Sequence, residues 1–113
     1  MNINQGLKVI EFSSGGCASC YSLTSVLNKV VSKYKNVEFC YIEISKDNVN
    51  LQKKYKIDRY PTILVLSSGI ELGRCVGYQP EEILEIWLDS KLEKGGSIWN
   101  LKHGMDLFLV NGV

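Results

Sequence analysis

The chain has 113 residues, of which 45% are hydrophobic and 22% charged, as in a single ordinary globular domain. The net charge is +1, with acidic and basic residues mixed along the chain, so charge does not favour nucleic acid as a partner. No basic stretch followed by an apolar run opens the sequence, and the longest apolar runs are too short to span a bilayer. We therefore expect no signal peptide, no membrane contact and a cytoplasmic location.

The first half of the chain predicts a strand, a helix and a second strand. Residues 7–12 form a short apolar strand, and the Ser-Ser-Gly-Gly at residues 13–16 ends it. Apolar residues then recur at three- and four-residue steps along one helical stripe: Leu23, Val26, Leu27, Val30, Val31 and Tyr34. Residues 37–44 are β-branched and aromatic, which is typical of a strand. This order implies a parallel strand pair with a right-handed crossover.

The second half predicts a helix, two strands and a closing helix. A short helix follows residue 47, and strands at residues 62–66 and 71–76 are joined by a glycine-containing turn. Pro80 and the glutamates after it begin a last helix that runs to about residue 93. Its apolar face is predicted to carry Trp87, with Ile83, Ile86 and Leu88 near it. The order β-α-β-α-β-β-α predicts an α/β fold with a four-stranded mixed sheet flanked by helices.

Cys17 and Cys20 lie between the first strand and the first helix, with two residues between them. Disulfide exchange requires a thiolate, and a helix N-terminus stabilises one with unpaired N–H groups and about half a positive charge. Two intervening residues allow the second sulfur to reach the first. We interpret Cys17 as the exposed attacking thiol and Cys20 as the resolving thiol.

Two other interpretations of the pair stay open, namely half of a zinc site and unreactive core cysteines. A structural zinc usually needs a second such pair, or closely spaced His or Cys residues. Cys40, Cys75 and His103 are far apart in sequence, and the first two lie in strand patterns that favour burial. The redox interpretation is therefore preferred. Cys40 is interpreted as a core residue, and Cys75 as a strand residue near the site for which a secondary redox role is the less favoured alternative.

Together these features resemble the thioredoxin-like superfamily. The matching segments are residues 9–12 before the cysteine pair, residues 55–62 ending in proline and threonine, the 68–71 turn, the glycine at 77 and the helix at 80–92. The resemblance covers residues 7 to about 93. It implies a thioredoxin-like fold and a thiol–disulfide oxidoreductase that reduces protein disulfides.

The resemblance also implies a substrate-binding loop. Pro61 would be a cis-proline that holds its loop against the two sulfurs. The backbone of Tyr60 would pair with an extended substrate peptide, and Thr62 and Gly77 would complete the binding residues. The alternative for Pro61 is an ordinary trans proline in a turn.

Glu11 lies six residues before Cys17, where thioredoxins keep a buried acid behind the second cysteine. Burial raises the pKa of a carboxyl group, which suits Glu11 to take the proton from Cys20 at neutral pH. The alternative is a solvated strand residue.

The chain also departs from thioredoxins. Seven residues are too few for the strand and helix that precede the first strand of a thioredoxin, so the layout is nearer the glutaredoxin-sized fold. Gly16 replaces a tryptophan, and Ala18 and Ser19 replace the usual Gly-Pro. The residues between the cysteines help to set the reduction potential, so reduction, oxidation and isomerisation all stay open.

No metal or organic cofactor is expected, because the two sulfurs carry the electrons. By resemblance, the partners would be protein disulfides and an electron donor, which is an NADPH-linked flavin-dependent reductase or glutathione. The alternative function is a redox-sensing or partner-binding module with little turnover, docking its partner around Tyr60, Pro61 and Tyr78.

Residues 1–94 are expected to form the thioredoxin-like domain and residues 95–113 a C-terminal extension. The extension contains Trp99 and an apolar run at residues 107–110, which need cover from water. We expect it to pack on the domain or at an oligomer interface.

Overall fold

The computed structural model describes residues 2–92, and the predicted order of elements is confirmed within them. The strands are β1 (Leu7–Ser13), β2 (Val37–Glu43), β3 (Thr62–Ser67) and β4 (Ile70–Val76), and the helices are α1 (Ala18–Val31), α2 (Val49–Lys54) and α3 (Glu81–Leu92). A 3₁₀ turn, Lys46–Asn48, leads into α2 and is capped by Ser45. Within residues 2–92, no helix is long and apolar enough to cross a membrane. The predicted extension, residues 95–113, lies outside the described residues.

The four strands form one mixed sheet, as predicted, and their order in the sheet is β2-β1-β3-β4. β1 and β2 are parallel, whereas β3 is antiparallel to both β1 and β4. Phe12 near the end of β1 lies opposite Thr62 at the start of β3, and Thr62 lies opposite Val76 at the end of β4. The loops before α1, before β3 and after β4 therefore meet at one end of the sheet.

The sheet divides the core into two layers because successive side chains of a strand point to opposite faces. On one face Val9 and Val65 pack with buried leucines of α1 and α3, such as Leu27 and Leu88. The other face carries a smaller cluster, with Ile10, Phe12, Leu64, Leu66, Tyr55 and Ile57 buried and Ile3 and Leu51 against them. Glu11 alternates with Val9 along β1, so its side chain faces the α1 and α3 layer.

Two helices differ in detail from the sequence interpretation. α1 ends at Val31, although the apolar stripe continues to Tyr34, which is buried beyond the helix. On α3 the buried stripe is Leu84, Leu88 and Leu92, at intervals of four residues. Ile83 and Ile86, which the sequence grouped with the apolar face, are exposed by 52% and 68%.

Candidate active site

Cys17 and Cys20 form a disulfide at the N-terminus of α1, with their Cα atoms 5.2 Å apart. Cys17 is the N-cap of the helix, and the backbone N–H of Cys20 donates to its Sγ at 3.2 Å. The hydroxyl of Ser19 lies 3.4 Å from the same sulfur. The first turn of α1 carries no acidic residue. A thiolate at Cys17 would therefore meet a hydrogen-bond donor and the positive end of the helix dipole.

The two sulfurs differ in access to solvent. Cys17 is partly exposed, whereas Cys20 is fully buried in the layer between the sheet and α1. A bulky disulfide can therefore approach Cys17, and Cys20 can reach only its neighbouring sulfur. This asymmetry is what a two-step exchange of disulfides requires.

Glu11 is buried within β1, on the face that packs against α1. Its Oε1 accepts a hydrogen bond of 2.7 Å from the Thr24 hydroxyl, while its Oε2 has no partner among the described residues. Burial raises the pKa of Glu11, and the hydrogen bond from Thr24 partly opposes that rise. The solvated alternative for this residue is excluded, whereas its role as a base stays a prediction.

The loop before β3 is held by hydrogen bonds on both sides. The Tyr60–Pro61 peptide bond is cis, and the Thr62 hydroxyl donates to the carbonyl of Arg59 at 2.7 Å. The N–H of Gly77, at the end of β4, donates to the carbonyl of Pro61 at 2.9 Å. The fold thus brings Tyr60, Pro61, Thr62 and Gly77 together at the end of the sheet that carries the cysteine pair. Their role in substrate binding stays a prediction.

The tyrosine ring of this loop packs away from the cysteines. Its hydroxyl donates to Gln52 Oε1 at 2.6 Å, and Gln52 itself is buried on α2. The ring is therefore anchored to α2, on the face of the sheet opposite to the α1 and α3 layer.

The remaining cysteines have a different environment from Cys17. Cys40 and Cys75 are free, half-buried and located on β2 and β4. Burial is the main cause that raises the pKa of Cys40 to about 11, and a hydrogen bond to Glu38 adds to it. Burial also raises the pKa of Cys75. Both thiols are therefore poor nucleophiles at neutral pH.

The zinc interpretation gains no support from the described part of the chain. Within residues 2–92, no group of three or more His, Cys, Asp or Glu side chains lies close enough together to hold a metal ion. His103, the histidine considered with Cys40 and Cys75, lies outside the described residues.

Thr24 is the site residue that the sequence reasoning missed. It contacts both Glu11 and the carbonyl of Cys20, which its hydroxyl approaches at 2.8 Å. The available signal was its position four residues after Cys20, because residues at this spacing share one helix face. The contact with Glu11 has no such local signal, because it depends on how α1 lies on β1.

Comparison with known proteins agrees with this geometry. The thioredoxin family model matches residues 1–90 of the chain. An H-type thioredoxin of Fagopyrum esculentum is 28% identical over 78 residues, which are 69% of this chain and 66% of that protein. A thioredoxin of Staphylococcus haemolyticus is 27% identical over 92 residues, which are 80% of this chain and 88% of that protein.

A solved structure gives the same result. The crystal structure of a thioredoxin from Nicotiana alata superposes with a TM-score of 0.62 and 27% identity, covering 84% of this chain and 75% of that one. The family model spans most of the chain, and the sheet order and cysteine pair lie inside the matched residues. The chain therefore belongs to the thioredoxin family.

Proposed function

We propose that this protein is a thiol–disulfide oxidoreductase that reduces protein disulfides through Cys17 and Cys20. The observation that carries the proposal is the disulfide at the N-terminus of α1, with one sulfur accessible and the other buried. Membership of the thioredoxin family supports the same class of chemistry.

The proposed reaction has two exchange steps. The Cys17 thiolate attacks one sulfur of a substrate disulfide, so that a mixed disulfide forms and the first substrate thiolate leaves. Cys20 then loses its proton and attacks the Cys17 sulfur, which forms the Cys17–Cys20 disulfide and releases the second substrate thiolate. The substrate gains two electrons and the protein loses two.

The oxidised pair must then be reduced by an external donor. We propose an NADPH-linked flavoenzyme of the thioredoxin-reductase type or glutathione as this donor, and the cytoplasm as the compartment. Reducing compartments keep most cysteines as thiols, and cysteine pairs there are more often catalytic than structural.

Trapping the mixed disulfide tests the order of the two cysteines. Cys20→Ser should accumulate a covalent adduct between Cys17 and a peptide disulfide, because nothing remains to resolve it. Cys17→Ser should form no such adduct and should lose at least about 99% of the reductase activity. Mass spectrometry of the intact protein measures the adduct.

Cys40→Ser and Cys75→Ser are matched controls, because both thiols are half-buried and have raised pKa values. Each should keep wild-type activity. Equal adduct formation by the two active-site variants would contradict the assignment of Cys17 as the attacking thiol.

The reduction potential of the Cys17–Cys20 pair tests the direction of electron flow. Equilibration with dithiothreitol or glutathione buffers, followed by thiol counting by mass, measures it. A reduction potential of about −270 mV supports a disulfide reductase, whereas a clearly higher potential indicates an oxidant, an isomerase or a redox sensor. A pair without any reversible two-electron couple would refute the enzymatic function and leave a partner-binding module.

A further inference from the structure

The buried acid of the site has an asymmetric environment. Glu11 is 0% exposed, its Oε1 is held by Thr24, and its Oε2 is buried without a partner among the described residues. A buried carboxylate oxygen without a hydrogen bond lowers the stability of the folded protein. We therefore look to the chemistry of the site for a role of this oxygen.

The Thr24 hydroxyl has two acceptors within reach but only one proton to donate. Glu11 Oε1 lies at 2.7 Å and the carbonyl oxygen of Cys20 at 2.8 Å. An ionised acceptor makes the stronger hydrogen bond, so the proton points to Glu11 when that carboxyl is charged. When Glu11 is protonated, the hydroxyl can turn to the Cys20 carbonyl, as threonines in helices commonly do.

We propose that Thr24 is a positioning residue of the disulfide exchange, whose hydroxyl holds Oε1 of Glu11 and leaves Oε2 as the atom that takes the proton from Cys20. This inference rests on the proposed function. The proton passes from the Cys20 thiol to the Glu11 carboxylate as the Cys20 sulfur attacks Cys17. The Thr24 hydroxyl stabilises the ionised form of Glu11, so the carboxylate stays available as a base. When Glu11 is protonated, the hydroxyl can donate to the Cys20 carbonyl instead, so it loses no hydrogen bond.

The elements that pack on this side of the sheet carry further titratable groups. They include Tyr41 on β2, Cys20, Tyr21 and Lys29 on α1, Cys75 on β4, and Glu81, Glu82, Glu85, Asp89 and Lys91 on α3. Tyr41 lies opposite Glu11 in the parallel register, and the neighbour on β3 is the apolar Ile63. The pKa of Glu11 responds to burial, which raises it, and to the Thr24 hydrogen bond, which lowers it. Thr24 is thus the polar side chain whose hydrogen bond lowers the pKa of Glu11.

Three variants of the full chain test the proposal. Thr24→Val removes the hydroxyl at nearly constant shape, Thr24→Ser keeps the hydroxyl, and Ser32→Ala removes a hydroxyl that bonds a helix carbonyl far from Glu11, that of Lys29. The pKa of Glu11 is read from its side-chain ¹³C shift during a pH titration, without substrate. The pH–rate profile for reduction of a peptide disulfide is the second readout.

Thr24→Val should raise the pKa of Glu11, move the rate profile to higher pH and lower the rate at pH 7 by roughly fivefold. Thr24→Ser and Ser32→Ala should match the wild type in both readouts. Should Thr24→Val fail to fold, Thr24→Ala provides the same comparison. An unchanged Glu11 pKa in the variant without the hydroxyl, or a serine variant that behaves like the valine variant, would overturn the role of Thr24.

The two proposals fail in different ways. A wild-type protein that exchanges no disulfide refutes the proposed function, whatever the Glu11 titration gives. Exchange that proceeds normally while Thr24→Val leaves the pKa of Glu11 unchanged refutes only the positioning role.

Discussion

At the scale of single residues, the burial of the Glu11 carboxyl group affects both the stability of the folded protein and the chemistry of the site. The carboxyl group occupies a fully buried position on β1, and one of its two oxygens lacks a partner among the described residues. Burial raises the pKa of Glu11 because the charged form loses its hydration. The same loss makes the ionised group a source of instability in the folded protein.

Glu11→Gln removes this ionisation and should change how stability depends on pH. Because the folded-state pKa of Glu11 lies above its ordinary value, the native state binds more protons between the two values. The stability of the wild type relative to the variant should therefore be highest below about pH 4.5, the ordinary value, and fall as pH rises through the folded-state pKa.

Urea unfolding of the disulfide form at several pH values measures this difference. Other titrating groups cancel in the comparison because both proteins contain them. A difference in unfolding free energy that is constant from pH 4 to pH 9 would mean that the pKa of Glu11 is not raised by folding.

At the scale of elements, polar contacts join α3 to the C-terminal end of α1 and to the residues that follow it. Lys29 pairs with Glu81 at 2.9 Å and Lys33 with Glu85 at 3.0 Å. These lysines are largely exposed, and exposed pairs contribute little to stability. Tyr34 differs, since it is 5% exposed and its hydroxyl donates to Asp89 of α3. Burial and this hydrogen bond raise the pKa of Tyr34, so the hydroxyl remains a donor.

Tyr34→Phe should therefore lower the free energy of unfolding by about 1–2 kcal/mol, because a buried hydrogen bond to a charged acceptor is lost. Urea unfolding monitored by circular dichroism measures the change. Tyr78→Phe is the matched control, since Tyr78 is 46% exposed, and it should change stability by less than about 0.5 kcal/mol. Equal effects of the two substitutions would contradict a special role for the Tyr34 contact.

At the scale of the whole molecule, the two faces of the sheet are covered unequally by the described residues. α1 and α3 lie over one face, whereas the six-residue α2 and the segment around Ile3 lie over the other. Cys40 and Ile42 of β2 are only partly buried on that second face. β2 is also an edge strand, and an uncovered edge invites pairing with another chain.

We predict that the apolar residues of the 95–113 segment are covered from water, either by packing on this second face or at a subunit interface. Truncation after Lys94 should therefore lower the unfolding free energy by at least about 1 kcal/mol, or change the oligomeric state. Urea unfolding and sedimentation of the full and truncated chains measure both quantities. A truncated chain with unchanged stability and unchanged mass in solution would show that the segment covers nothing.

Local sequence patterns were sufficient for the order of the elements and for the cysteine pair. Apolar periodicity marked α1, and the position of Cys17 and Cys20 between a strand and a helix already indicated redox chemistry. The same patterns gave wrong details where a residue's burial depends on a distant partner. Tyr34 continues the stripe of α1 but lies beyond the helix, buried against α3, and Ile83 and Ile86 are exposed because α3 contacts the core through Leu84 and Leu88.

The sequence by itself determined the order of the elements, the mixed sheet and the position of the cysteine pair, because these follow from spacing and periodicity within short segments. Only the tertiary structure decided that Glu11 is buried, that Thr24 holds one of its oxygens and that Pro61 meets Gly77. The physical reason is that each of these contacts joins elements that are distant in the chain. Their energies depend on how helices and strands pack against one another, which local propensity does not specify.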